Sequence, residues 1–253
     1  DFNMPPGRMK DRLFDLKKPL LESKSAFDKV IASVMAAEPD FAEQVDKIHP
    51  IKNKQLRQES SDPRVLFAQA EECQAFLGTF LSTGWGDCAV IPSIKAMDSA
   101  ERKVRDSYND DWGKMRDLSR GTLKVKEFGQ IYAAYEALRQ EARIAIVQVK
   151  NKYQTPTFMG YRDINMNLRV TLADGSTHVC ELQMHLEQVL EVKNTVNHRC
   201  YEEVRVILPE LCAGVTDTDG KAISGDALAR DIIGRLDSSA IDLVVEKLER
   251  KAG

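Results

Sequence analysis

Two carboxylates, Asp117 and Glu181, have neighbours of the types that bind anions or orient ligands. Glu181 lies in Thr177 to Met184, where Cys180, Leu182 and Met184 alternate with Glu181, Gln183 and His185. Upstream, Ile164, Met166, Leu168 and Val170 alternate with Tyr161, Asp163, Asn165 and Asn167. Successive side chains on a strand point to opposite faces. The two runs therefore predict a hairpin, joined by the turn Ala173-Asp174-Gly175-Ser176. One face is apolar and belongs to a core. The other presents carboxylates, amides and a tyrosine, and alternation alone fits a solvated sheet face as well as a ligand site.

Asp117 belongs to a cationic stretch. Between Ile94 and Lys126 there are nine Lys/Arg (Lys95, Arg102, Lys103, Arg105, Lys114, Arg116, Arg120, Lys124, Lys126) against six acids, a local net of +3. The whole chain carries -3, so the remainder carries -6. A basic cluster beside a carboxylate-bearing sheet suits a polyphosphate with a divalent cation: cations hold the phosphates and acids hold the metal. Taken singly, such charges are ordinary surface. The acidic total disfavours extended binding to a nucleic-acid backbone.

The elements that would position these residues form an α+β pattern. From Met9 to about Phe80, helix formers with Phe27, Val30, Ile31, Val34 and Met35 on one face predict amphipathic helices. These break at Ile48-His49-Pro50-Ile51 and restart at Ser60-Ser61-Asp62-Pro63, which reads as a cap and first turn. Beyond Gly84, helical stretches at Ser99 to Tyr108 and Gly129 to Arg139 alternate with strand-like runs at Gly121 to Lys126, Arg143 to Val149, Tyr161 to Leu172 and Thr177 to Met184. Helices are also expected from Glu187 to Val206 and from Ser224 to Ala252. The expected organisation is a helical region at 1–83, a core at 84–208 and a helical extension at 209–253.

At 253 residues and 43% hydrophobic, the chain can bury a substantial core. Its longest apolar runs are far short of the roughly 20 residues of a membrane span. Asp1 to Pro6 does not read as a secretory signal, and the chain starts without methionine, as an excised or trimmed domain would. Five scattered cysteines, odd in number, argue against a disulfide framework and for a reducing, cytoplasmic setting. His178, Cys180, His185, His198 and Cys200 match no common zinc spacing. No P-loop motif occurs.

Several segments, in order, resemble the synthetase domain of RelA/SpoT-type alarmone synthetases, including its small and toxin-like members. Ile94 to Lys103 is similar to the family's K-S-x-x-S-x-x-R-K ATP-phosphate motif. Met115 to Thr122 is similar to its D-x-x-G/R-x-R segment at the start of a strand. Lys150, Pro156, Gly160 and Tyr161 keep the order of its K-D-Y-x-x-x-P-K-x-N-G-Y loop. Glu181-Leu182-Gln183 resembles its E-x-Q strand, and His198 with Tyr201 its closing H-W-x-Y helix. The likeness runs from about Ile91 to Arg205. Two positions depart: Thr157 replaces the lysine after the loop proline, and Asn165 replaces a histidine.

The resemblance implies a nucleotidyltransferase-like fold, with a mixed sheet of about five strands flanked by helices and helical extensions at both ends. It implies transfer of pyrophosphate from ATP to the 3'-hydroxyl of an acceptor nucleotide, GDP/GTP or ADP/ATP, with Mg²⁺ as cofactor and AMP as product. Asp117 and Glu181 would be the metal ligands, Glu181 also the base. Lys95, Ser99, Arg102, Lys103 and Arg120 would bind ATP. Tyr161, Lys150, Arg162, Asn165 and Gln183 would bind the acceptor, Tyr161 by stacking or else by core packing. His198 and Tyr201 would brace the site. The departures keep open a degenerate nucleotide-binding module; the missing start and the lack of a hydrolase or regulatory region keep open a delivered toxin, and pyrophosphorylation of an RNA 3' end such as that of tRNA is a close variant.

Overall fold

The alternating runs pair into a single sheet. The computed structural model describes residues 6–157 and 159–197, with side chains at 21–157 and 159–195. Five strands, β1 (Ala89–Val90), β2 (Arg120–Val125), β3 (Ile144–Asn151), β4 (Ile164–Thr171) and β5 (Thr177–Leu186), lie in the order β1-β2-β5-β4-β3. Only β2 and β5 run parallel; the other neighbours are antiparallel. The helices are α1 (Pro6–Ala37), α2 (Phe41–Lys47), α3 (Pro63–Trp85), α4 (Met97–Tyr108), α5 (Phe128–Gln140) and α6 (Glu187–Val192), the last running into a π-helical turn at Lys193–Asn197. The fold is α+β with a mixed sheet, as the alternation and the resemblance lead one to expect. The helices expected beyond 197 lie outside the described residues.

Local chemistry sets several of these limits. Asp62 caps α3 by accepting from the Arg64 amide at 2.8 Å, and Pro63 fills the first helical position, where no amide hydrogen is needed. Gly175, at φ +84°, makes the hairpin turn between β4 and β5. Two-residue β1 is too short for any periodic signal; it exists because Ala89 and Val90 pair with Leu123 and Thr122 of β2.

The chain forms two compact units. One consists of Ala32–Thr155 with Arg162–Leu190 and holds the sheet together with α2 and α3. Leu77 and Leu81 of α3 press on the apolar face at Gly121, where an added Cβ would stand 2.9 Å from Leu81 Cδ1. Helix α4 is anchored by Ala100 and Val104, which join Leu66 and Ala70 of α3 and Met115 and Leu118 in one buried cluster. The Glu38 carboxylate accepts from the Phe128 and Gly129 amides, supplying charge where the N-terminus of α5 is electropositive.

The second unit includes Pro156–Tyr161 and the described part of α1 up to Ile31. Its loop is closed by the Thr157 hydroxyl, which accepts from the Tyr161 amide at 3.1 Å, and by the Gly160 amide donating to Thr157 O. Gly160 has φ +85° and lies so close to α1 that a Cβ would meet Lys24 Cα at 3.0 Å. The Tyr161 ring meets Phe27 edge-on at 6.0 Å, with the Lys193 ammonium 5.2 Å from its centroid.

Candidate active site

The polar residues of the hairpin face are drawn into rows by the strand register. Arg120 of β2 stands opposite Glu181 of β5, which stands opposite Asn167 of β4, which stands opposite Gln148 of β3. One step along, Thr122, Gln183, Asn165 and Lys150 form the next row. A merely solvated face would leave these side chains open to water. Instead Asn165 and Asn167 are 7% and 4% exposed, and His185 is 1% exposed.

The segment before β2 is tied to the sheet. Buried Gln58 donates to Met115 O and Val179 O, both at 2.7 Å, and accepts from the Val179 amide, tying residues around Met115 to β5. Arg116 reaches Gln148 on β3, 3.4 Å away. From α3, Gln74 fixes the start of β2: its carbonyl accepts from Ser119 Oγ and the Arg120 amide, and its amide donates to Pro92 O and Arg120 O. The Glu181 amide donates to Ser119 O at 3.1 Å, which locks the carboxylate-bearing strand to the residue two positions after Asp117.

Asp117 is the electrostatic centre of this arrangement. Its Oδ2 receives the Lys95 ammonium at 3.0 Å and the Lys103 ammonium at 2.8 Å, while its side chain is only 13% exposed. The Lys95 backbone amide donates to Leu118 O, which pins that lysine beside the carboxylate. Burial alone would raise the Asp117 pKa; the hydrogen bond and charge of Lys103, then those of Lys95, outweigh it and hold the carboxyl below its ordinary value. Lys103 is the mirror image. Burial pulls its pKa down, and the hydrogen bond and charge of Asp117, with Tyr108 and Glu181 contributing, raise it above the ordinary value. Lys103 thus lies in the fields of both carboxylates.

Asp117 Oδ1 is buried with no hydrogen-bond partner among the described residues, as are the Nε groups of Arg116 and Arg120. A buried polar atom without a partner costs free energy on the order of 1–3 kcal/mol. An acceptor would satisfy the arginine Nε groups and a cation would satisfy the carboxylate oxygen. Glu181 accepts at Oε2 from Asn165 and at Oε1 from Gln183.

No protein-family model matches the sequence, and no curated protein matches it. Among solved structures, the chain is similar to a GTP pyrophosphokinase family protein from Streptococcus pneumoniae, at 11% identity over 75% of this chain and 91% of that one, with a TM-score of 0.41. It is similar to the small alarmone synthetase 1 from Bacillus subtilis bound to its product pppGpp, at 15% identity over 74% and 97%, TM-score 0.45. The small alarmone synthetase 2 from Bacillus subtilis is also similar, at 15% identity over 77% and 97%, TM-score 0.42. At these identities and scores the likeness assigns no activity to this chain.

The expected site residues fall into several groups. Lys95, Lys103 and Asp117 are in direct contact, and Arg120 and Glu181 are paired in register beside them. Ser99 is half-buried and Arg102 exposed on α4. Lys150, expected to bind the acceptor, is exposed on β3 opposite Asn165, and Arg162 is half-buried. Tyr161 belongs to the other compact unit, where Phe27 and Lys193 contact its ring. His198 and Tyr201 lie outside the described residues.

Sequence reasoning missed Gln74 and Gln148, placed Asn167 on the polar face without a role, and gave Arg116 no role of its own. Their importance depends on contacts over long stretches of chain, and no local pattern signals it. Among the described residues no group of three His, Cys, Asp or Glu side chains could hold a metal. Mg²⁺ commonly takes only one or two carboxylates and completes its shell with water and substrate phosphates.

Proposed function

We propose that this chain is a nucleotide pyrophosphokinase, transferring the β,γ-pyrophosphoryl group of ATP to the 3'-hydroxyl of an acceptor nucleotide and releasing AMP. One observation carries the reading: Asp117 is clamped on one oxygen by Lys95 and Lys103, its other oxygen is buried with no partner among the described residues, and Arg120 stands opposite Glu181 in the β2–β5 pairing.

In this reading Asp117 Oδ1 and the lone pairs left on Glu181 would hold Mg²⁺, whose chemistry is to neutralise charge on the polyphosphate. Lys95, Lys103 and Arg120 take the triphosphate, and Arg116 adds a further donor beside them. The arginines can offer paired N–H donors to phosphate oxygens. The acceptor 3'-oxygen bonds to the β-phosphorus, the bond from that phosphorus to the oxygen bridging to the α-phosphate breaks, and AMP leaves with those electrons. The hydroxyl proton passes to Glu181. Most of the acceleration comes from holding two polyanions in line against their mutual repulsion.

The test incubates the protein with labelled ATP and Mg²⁺ and, separately, GDP, GTP, ADP, ATP and tRNA, then resolves the products. AMP together with a pyrophosphorylated acceptor is the expected result. No AMP with any acceptor would remove the enzyme reading and leave a nucleotide-binding module.

A further inference from the structure

Asn165 and Gln183 have the amide chemistry of ligand-reading residues, and from sequence they are expected to contact the acceptor. In the structure each directs an N–H at Glu181 instead. Asn165 Nδ2 donates to Glu181 Oε2 at 3.1 Å, and Gln183 Nε2 donates to Glu181 Oε1 at 3.0 Å. A carboxylate can only accept, so both amides must turn their NH₂ groups towards it. With Gln183 so turned, its Oε1 faces His185 Nε2 at 3.4 Å and accepts from it in the tautomer that carries the proton there. His185 is buried, so that orientation is not shared with bulk water.

The two donors come from different strands. Gln183 is two residues along β5 from Glu181, and Asn165 stands on β4 directly opposite Gln183. Together they fix the plane of the carboxylate against rotation about its last torsion. Each Glu181 oxygen has two lone-pair positions, so one on each remains open after both amides have bonded.

We infer that Asn165 and Gln183 are positioning residues, which serve the reaction by fixing the Glu181 carboxylate with two amide donors rather than by binding the acceptor. This rests on the pyrophosphokinase reading. It also gives a physical account of the departure at position 165, since an amide donates to the carboxylate at every pH at which the protein is folded.

The experiment uses the full chain with ATP, Mg²⁺ and whichever of GDP, GTP and ADP the wild type turns over. Asn165→Ala and Gln183→Met are compared for kcat, for acceptor KM and for acceptor binding by calorimetry, with thermal melting to check folding. Positioning predicts that kcat falls roughly 10- to 100-fold while acceptor KM and Kd stay within about threefold. Asn165→His, which restores an N–H donor, recovers a large part of kcat. Gln183→Glu sets a second carboxylate against Glu181 at nearly constant volume and lowers kcat further than Gln183→Met. A rise of about tenfold or more in acceptor KM and Kd with kcat unchanged would make these residues acceptor contacts and overturn the inference, as would wild-type kinetics in both variants. A wild type that releases no AMP fails the pyrophosphokinase reading itself, a result separate from either.

Discussion

Asp117 and Glu181 are held by opposite means, two cations on the first and two neutral amides on the second, and the difference predicts different responses to substitution. Glu181→Gln keeps volume and removes the base. We expect kcat to fall about 10²- to 10⁴-fold while ATP affinity, read by equilibrium binding, changes little; undiminished turnover would exclude the role. Asp117 is coupled to stability as well. Its folded pKa lies below the ordinary 3.8, so its pairing stabilises the fold above that value and is lost as pH falls through the folded pKa. Urea denaturation followed downward from pH 5 should therefore show a shallower loss of stability in Asp117→Asn than in the wild type. That variant should also be less stable at pH 7, because two partly buried ammonium groups lose their counter-charge.

At the scale of elements, α3 does more than cover the sheet. Its Gln74 holds β2 at the point where the chain turns from Asp117 into the strand, through bonds of 2.7 and 2.8 Å to Pro92 O, Arg120 O, Ser119 Oγ and the Arg120 amide. Gln74→Ala strips partners from several groups at once. It should destabilise the protein by about 1–3 kcal/mol in urea denaturation and lower kcat/KM for ATP by loosening the Lys95–Asp117 geometry. A variant with wild-type kinetics would show that β2 holds its position without α3. Asp62→Ala, which removes only the α3 cap, should cost about 1 kcal/mol with kinetics unchanged, because its carboxylate touches only the first turn of the helix.

For the molecule as a whole, His178 makes stability depend on pH on the acid side of neutrality. It is 0% exposed on the apolar side of β5, both ring nitrogens lack a partner there, and burial lowers its pKa from 6.5 to about 4. A histidine held neutral stabilises the fold fully above its unfolded pKa and loses that contribution as pH falls towards the folded value. At about 1.4 kcal/mol per pKa unit, the wild type should lose on the order of 3 kcal/mol between pH 7 and pH 4 on this account. His178→Leu should flatten that part of the urea-denaturation profile. An unchanged profile would mean that the imidazole is not held neutral. Among the described residues no helix is long and apolar enough to cross a membrane.

The amino-acid sequence by itself determined the hairpin, the α3 cap and the sorting of charge. Each rests on contacts within a few residues: period-two alternation in β4 and β5, Asp62 beside Pro63, and the cationic stretch from Lys95 to Lys126. Only the tertiary structure decided that β2 and β5 run side by side, which sets Arg120 against Glu181 across sixty residues of chain, and that Asn165 and Gln183 spend their donors on that carboxylate. It also decided that Asp117 has one oxygen paired and the other buried with no partner among the described residues. Alternation reports which face a side chain takes, but which polar groups on that face meet depends on strand order and register, and those are settled by packing between segments far apart in the chain.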